Sequence, residues 1–408
     1  MAILFTFAWR NLWRNKRRTL ITVSSVLFTY LLAVALLSYM GGFQEQFTES
    51  MIRQDTGYLQ VQDAKYLEEP SMDHIFEYGE EVHEALAKFE DEIKYTVPRI
   101  RGFSLAAKDI STRPAMVNGI VPEQEDQLRD LSGNMVQGEM FGKGDEYAVV
   151  AAGLADLLDL NIGDTLVLIG QGFQAMSATG KFKVGGIIEF NLPEQNNTMV
   201  YLPLEVGQWY FAAGNRLTNL LIMTERKDQI SQLAAQIQQE LDDEWFAVRT
   251  WKELVPDMVD LMEMQHLVYN LIAWVFYIIV GFGIFGTILT MLYERMREFG
   301  ILLSLGMKRY KLAIVTLIET VIIGLLGIVA GVAAGIPLIY FFHRFPIRLS
   351  GEMADYMYSF GMEPVFRFSM SPGIFITQGF IVFGITLFIG LFSMRKIFVM
   401  DVLDAARS

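Results

Sequence analysis

The chain of 408 residues contains no cysteine. Disulfides, thiolate nucleophiles and zinc–thiolate centres are therefore excluded. Histidine is nearly as scarce: His74, His83, His266 and His343 are the only four, and none stands at ligand spacing from another. No metal site is expected. A phosphate-binding loop needs G-x-x-x-x-G-K-[ST]. The nearest stretch ends in Gly180-Lys181-Phe182 and lacks both the first glycine and the final hydroxyl, while Gly138, Gly142 and Lys143 have the wrong spacing. A G-x-S-x-G elbow is missing as well. Acidic pairs such as Glu68-Glu69 and Glu80-Glu81 read as solvated faces. The expectation is no catalytic residue and no cofactor held by this chain, so it is not expected to be an enzyme.

Apolar sequence is abundant. It makes up 52% of the residues. Four runs, 19–43, 266–293, 312–342 and 372–394, are each long enough to cross a bilayer, which takes ~20 residues of helix. The first run exceeds the ~7–15 residues of a signal-peptide core, and no small-residue cleavage site follows Tyr39-Met40-Gly41-Gly42-Phe43. It reads as a retained helix.

Charge is divided between regions. Residues 44–265 carry 17 Lys+Arg against 38 Asp+Glu, a net charge of −21. The rest of the chain carries 16 against 8, a net of +8. The cations flank the apolar runs: Arg10, Arg14, Lys16, Arg17 and Arg18 before the first, Arg295, Arg297, Lys308, Arg309 and Lys311 between the second and third, Arg395, Lys396 and Arg407 after the fourth. The positive-inside rule makes these segments cytoplasmic. Both termini are then inside and the acidic region outside. That acidity argues against nucleic acid as a partner.

The expected organisation is an amphipathic cytoplasmic helix (1–18), the first span (19–43) and an extracytoplasmic domain with stalk ends (44–265). The second span (266–293), a cytoplasmic segment (294–311) and the third span (312–342) follow. A short external loop (343–371), the fourth span (372–394) and a cytoplasmic tail (395–408) complete it. Phe43, Phe47 and Met51, and Leu254, Met258, Leu261, Met262 and Gln265, continue helical spacing beyond the first two spans and predict stalks. Between them the pattern is mixed α/β. Strands are expected at 57–63, 116–121, 147–151, 165–169, 181–190, 198–202 and 246–250, and helices at 83–94, 152–158 and 229–241. Two subdomains, the middle part inserted, are consistent with this pattern. The fold class is thus an α-helical membrane protein with four spans and an α/β domain inserted between the first two.

Three features carry function. Residues 293–309 form a short charged amphipathic segment ended by Gly306, a residue favoured past helix ends. It can present a compact face to a cytoplasmic partner. Gly327, Gly331 and Gly335 make two consecutive G-x-x-x-G units in the third span and predict close helix packing, within the chain or with a partner chain. Glu319 is a carboxylate in an apolar run, where an unpaired charge is costly; pairing with a nearby basic residue or placement near head groups is the simplest reading.

Together these features resemble the FtsX/MacB-type permeases of ABC transporters, also called type VII or mechanotransmission transporters. Arg297, Glu298, Gly300, Ile301, Leu303, Leu305 and Gly306 match the family's R-E-I-G-I-L-R-A-L-G coupling segment, with Phe299 and Ser304 departing conservatively. Glu319 matches the family's glutamate early in the third span. Residues 8–18 are similar to its A-x-R-N-L-x-R-x-K-x-R start, residues 149–168 to a segment of its outer domain, and 401–407 to its tail without the customary proline. The resemblance implies a MacB-like extracytoplasmic domain and a bacterial inner-membrane location. It also implies a homo- or heterodimer with a second permease and separate cytoplasmic ATPase subunits that hold ATP and Mg. Arg297, Glu298, Gly300, Ile301, Leu303 and Gly306 would couple to the ATPase.

Length and the absence of a fused ATPase make the chain most similar to the lipoprotein-releasing LolC/LolE permeases. The Gly41-Gly42-Phe43 stretch is similar to that branch's M-N-G-F sequence but lacks its asparagine. In that branch acylated protein is lifted from the outer leaflet between the first two helices. Met40, Phe43, Phe47, Met262, Met264 and Leu267 are the candidate lining, and flexible methionines suit varied acyl chains. The alternatives are a MacB-like efflux or export permease with a periplasmic adaptor, an FtsX-like activator of cell-wall hydrolases, and a membrane-anchored scaffold without transport.

Overall fold

The computed structural model describes residues 2–14, 16–242, 244–358 and 362–399. Asn15, the tail 401–407 and with it Arg407 lie outside the described residues. The chain divides into two units. One comprises Met1–Gln46, Met262–Leu349 and Val365–Ser408, the other Phe47–Leu261 and Ser350–Pro364.

The first unit is helical. An N-terminal helix covers Ala2–Arg14, and four long helices cover Lys16–Met51, Pro256–Glu294, Arg309–Arg344 and Pro372–Val399. All four are long and apolar enough to cross a membrane. The amphipathic helix is shorter than the sequence predicts. Lys16, Arg17 and Arg18 open the first long helix, where Arg18 pairs with Glu294. A single π turn, Ile52–Thr56, extends that helix. The helical spacing predicted for the stalk residues is present as continuous helix, through Thr56 on one side and from Pro256 on the other.

The glycines of the third long helix let it approach the first. A Cβ on Gly327 would lie 2.6 Å from the Val26 Cβ, and one on Gly331 would lie 2.6 Å from the Tyr30 ring. The packing is within the chain. Tyr30 then donates its hydroxyl hydrogen to the Phe375 carbonyl at 3.0 Å, joining the first and fourth long helices. Lipid supplies no hydrophobic force between helices, so close backbone approach and such hydrogen bonds hold them.

The second unit is α/β, with ten strands in one sheet. They are β1 (Leu59–Asp63), β2 (Ile93–Lys108), β3 (Ser111–Ile120), β4 (Met135–Gly138) and β5 (Ala148–Ala151). Then come β6 (Thr165–Gln171), β7 (Ser177–Ile188), β8 (Met199–Pro203), β9 (Asn219–Thr224) and β10 (Phe246–Thr250). The order is β10-β1-β9-β2-β3-β8-β5-β7-β4, and β6 pairs with both β2 and β7. The pairings β2-β3-β8-β5-β7-β6-β2 therefore close on themselves.

Two main cores result. Alternate residues of the closed strands, among them Ile100, Val117, Leu166, Phe182 and Val200, fill the ring, and Leu154 and Leu158 of helix Ala152–Leu158 join them. The four-stranded part β10-β1-β9-β2 packs Leu59, Val61, Leu220 and Ile222 against Leu233 and Ile237 of helix Ile230–Glu240 and Val82 of helix Glu80–Ala87. β2 belongs to both parts. The two expected subdomains are thus two cores within one continuous sheet.

Three expectations are corrected. The helix expected at 83–94 is Glu80–Ala87, and Ile93 already begins β2. β9 lies at the centre of the four-stranded part, where no strand is predicted. The expected loop 343–371 contains a two-strand pairing, Ile347–Arg348 with Val365–Phe366, and helix Glu352–Tyr358. Buried Ala354 and Met357 order that helix, and residues 350–364 belong to the α/β unit.

Candidate functional site

The segment after the second long helix folds into the short helix Met296–Ser304. Its end forms a Schellman motif. The Gly306 amide donates to the Leu303 carbonyl and the Met307 amide to that of Leu302, both at 3.0 Å. Gly306 has φ +92°, a conformation that glycine adopts without a Cβ clash. One side of the helix is buried: Phe299 packs with Leu292, Leu312, Ala313 and Ile397, and Leu302 and Met307 sit against that cluster.

The expected coupling residues divide between two faces. Gly300 is buried and Leu303 half-buried, so they seat the helix. Arg297 and Ile301, with Leu305, lie at i, i+4 and i+8 and are exposed. Glu298 is tied sideways, accepting two hydrogen bonds from Arg14 Nη2 at 3.0 and 3.1 Å.

Beneath this helix lies a buried polar group. Glu319 of the third long helix is 0% exposed. Its carboxylate accepts a hydrogen bond from Asn11 Nδ2 at 3.0 Å and pairs with Arg295 Nη1. Arg295 Nε lies 3.5 Å from Glu298, and the guanidinium stacks 5.3 Å from the Phe299 ring. A chain of contacts thus runs from the N-terminal helix through Asn11 and Arg14 to the short helix and the third long helix. Arg18 and Glu294 add an exposed pair at 3.0 Å. The lone carboxylate drew attention in the sequence. Its partners, Arg295 and Asn11, did not, although the need of a buried charge for a partner is the signal that points to them.

The expected lining residues differ in exposure. Met40 and Met262 are buried, Phe43 and Phe47 half-buried, and Met264 and Leu267 exposed. Two apolar grooves flank the fourth long helix, one with Leu325, Val332 and Phe380 and the other with Ile278, Phe282 and Phe388. Neither is lined by any of the six. Gly42 is explained by contact: a Cβ there would lie 2.3 Å from the Arg367 carbonyl oxygen.

The stretch Gly180-Lys181 lies inside β7, paired with β6, and so is no loop that could wrap a phosphate. Among the described residues there is no His/Cys/Asp/Glu group able to hold a metal ion.

A second buried ionic group sits in the α/β unit. Arg99 is 1% exposed and Glu125 0%. Arg99 donates to Glu125 through Nε at 3.0 Å and through Nη2, and Arg129 Nε donates to the same carboxylate at 3.0 Å. Asp55 of the π turn pairs with Arg101 at 2.6 Å, and its carbonyl accepts from Arg99 at 3.1 Å. Burial pushes the Glu125 carboxyl up, but Arg99 and Arg129 outweigh it and hold it below the usual carboxylate range. Asp55 behaves alike: burial raises it, and Arg101 and Arg99 bring it down further.

Family profiles match both parts of the chain. The FtsX-like permease C-terminal family matches residues 270–402. The MacB-like periplasmic core domain family matches residues 19–240, more than half of the chain. The chain belongs to the FtsX/MacB-type family of ABC-transporter permeases. Relatives in this family include an uncharacterised ABC transporter permease of Methanocaldococcus jannaschii, 21% identical over 82% of this chain and 83% of its own length. The lipoprotein-releasing system transmembrane protein LolC of Xylella fastidiosa is 21% identical over 81% of this chain and 80% of its own. The macrolide export ATP-binding/permease protein MacB of Bartonella quintana is 24% identical over 82% of this chain and 52% of its own. As a permease of this family the chain is a membrane protein, and family members work with cytoplasmic ABC ATPases.

Proposed function

We propose that this permease couples ATP hydrolysis on separate cytoplasmic ATPase subunits to motion of its α/β domain, and that the motion lifts lipoproteins from the outer leaflet of a bacterial inner membrane. The termini and the short helix Met296–Ser304 lie on the cytoplasmic side and the acidic domain on the periplasmic side. The observation that carries the reading is the two-faced short helix. Its outer stripe of Arg297, Ile301 and Leu305 is free to meet an ATPase. Its inner contacts, Glu298 with Arg14 and Arg295 with Glu319, would pass a push to the N-terminal helix and the third long helix together. ATP and Mg bind the partner subunit. A second permease, identical or different, completes the assembly, and a periplasmic carrier receives the cargo.

Likeness to LolC over most of both chains favours lipoprotein cargo. The match of the domain to MacB-like cores favours a second reading, an efflux or export permease with a periplasmic adaptor. Purification of the tagged chain from native membranes, with mass spectrometry of what accompanies it, separates them. An ATPase with acylated lipoproteins is expected. An ATPase with an adaptor and no lipoprotein overturns the cargo assignment, and absence of any ATPase overturns the coupling as well. Met40, Phe43, Phe47, Met262, Met264 and Leu267 are proposed to contact acyl chains. Photocrosslinkers at these six sites that capture no lipoprotein would remove that role.

A further inference from the structure

In the four-stranded part of the sheet, Leu59 and Val61 of β1 face the helix-covered core. Gln60 and Gln62 alternate with them and so face the other side, where burial continues: both amides are nearly inaccessible. Arg249 of β10 stands opposite Gln60, and Asn219 of β9 stands opposite Arg99 of β2. This second face is therefore a row of amide and guanidinium groups.

A cavity of about 150 Å³ opens on it, lined by Gln60, Gln62, Arg99, Arg101 and Asn219. Asp55 at the end of the π turn and Leu254 close its sides. Donors outnumber acceptors there. Gln62 is 1% exposed, and its Nε2 has no hydrogen-bond partner among the described residues. The ionised groups at and behind the cavity are Arg99, Arg101 and Arg129 against Asp55 and Glu125, an excess of one positive charge. This local excess lies in a segment with a net charge of −21.

We propose that this cavity binds a small oxyanion, a carboxylate or phosphate group. Such a ligand brings the missing acceptor to Gln62 and cancels the excess charge. The volume equals about five waters at ~30 Å³ each. That volume suits an anionic head group better than an acyl chain. The inference does not rest on the function proposed above.

The test is the unfolding midpoint of the full chain in detergent, followed by intrinsic fluorescence, in sodium phosphate, acetate or chloride at equal ionic strength. Phosphate or acetate is expected to raise the midpoint saturably above chloride. Gln62→Leu, close to isosteric but unable to donate, and Gln62→Glu, which repels an anion, are each expected to abolish the difference. Equal midpoints in the three salts overturn the proposal, a comparison that wild-type protein alone decides. A rise that survives both substitutions also overturns it, because the anion then acts elsewhere. Short peptides with free or amidated C-termini, titrated calorimetrically, distinguish the sources. Binding of the free form alone identifies a peptide carboxylate, and response to phosphate without peptide binding identifies a free ion.

Discussion

Glu319 in the helical unit and Glu125 in the α/β unit are both fully buried carboxylates paired with arginine, yet their surroundings differ. Glu125 sits between Arg99 and Arg129, and Arg99 is itself inaccessible. Removal of that carboxylate strands a guanidinium that is 1% exposed. Glu319 sits at the inner end of a graded series. Its partner Arg295 is 9% exposed and already 3.5 Å from Glu298, which in turn holds the exposed Arg14. A charge released there can pair again. The first arrangement locks a strand to a helix, whereas the second joins three helices and retains room to rearrange, as the proposed coupling would require.

The largest effect expected from this contrast is at Glu125. Glu125→Ala should destabilise the α/β unit by about 3–5 kcal/mol, the usual result of breaking a buried pair, as read by denaturant unfolding. Its acidity has a consequence of definite sign. Because folding lowers its pKa, its contribution is present above the ordinary carboxylate range and is lost as pH falls below about 4. The unfolding midpoint of the domain should be insensitive to this group between neutral pH and about pH 5, and should drop below that range. A drop centred near neutrality would point to another group.

Next comes Glu319→Ala, expected to cost about 1–3 kcal/mol, the penalty for a polar group left without its partner. It should also reduce coupling of ATP hydrolysis to release more than it reduces thermal stability. A loss as large as that of Glu125→Ala would erase the distinction drawn above. Gly306→Ala should cost about 1–2 kcal/mol, because φ +92° suits an L-residue poorly, and should uncouple hydrolysis from release. Smallest in stability is Arg14→Ala, about 0–1 kcal/mol for an exposed ion pair. Unchanged coupling in both Arg14→Ala and Glu298→Ala would show that this contact transmits nothing.

The two carboxylates also differ in how legible they are. Glu319 stands out as a lone acid in an apolar run. Glu125 is one of 38 acids in its segment, and nothing in its neighbourhood foretells burial. Short apolar strands bounded by turns, such as β10 and β6, can be read directly. β2 cannot, because Pro98 and Gly102 interrupt it and both normally argue against a strand interior. β9 is buried along its whole length and lacks alternation, so Leu220-Leu221-Ile222 carries no period to read. The need for glycine at position 42 comes from the Arg367 carbonyl oxygen, 2.3 Å from a would-be Cβ and more than 300 positions away in the chain.

The sequence by itself determined four apolar helices, the acidic α/β segment after the first of them, the short charged helix closed by glycine, and the glycine spacing of the third long helix. These are local properties, set by hydropathy, period and backbone preference along a few turns. The tertiary structure alone decided which helix those glycines meet, which arginine and asparagine hold Glu319, that one long strand serves two cores, and that a donor-lined cavity lies behind the sheet. Each of these depends on pairs of residues distant in the chain, whose energies arise only when folding brings them together and removes water from between them.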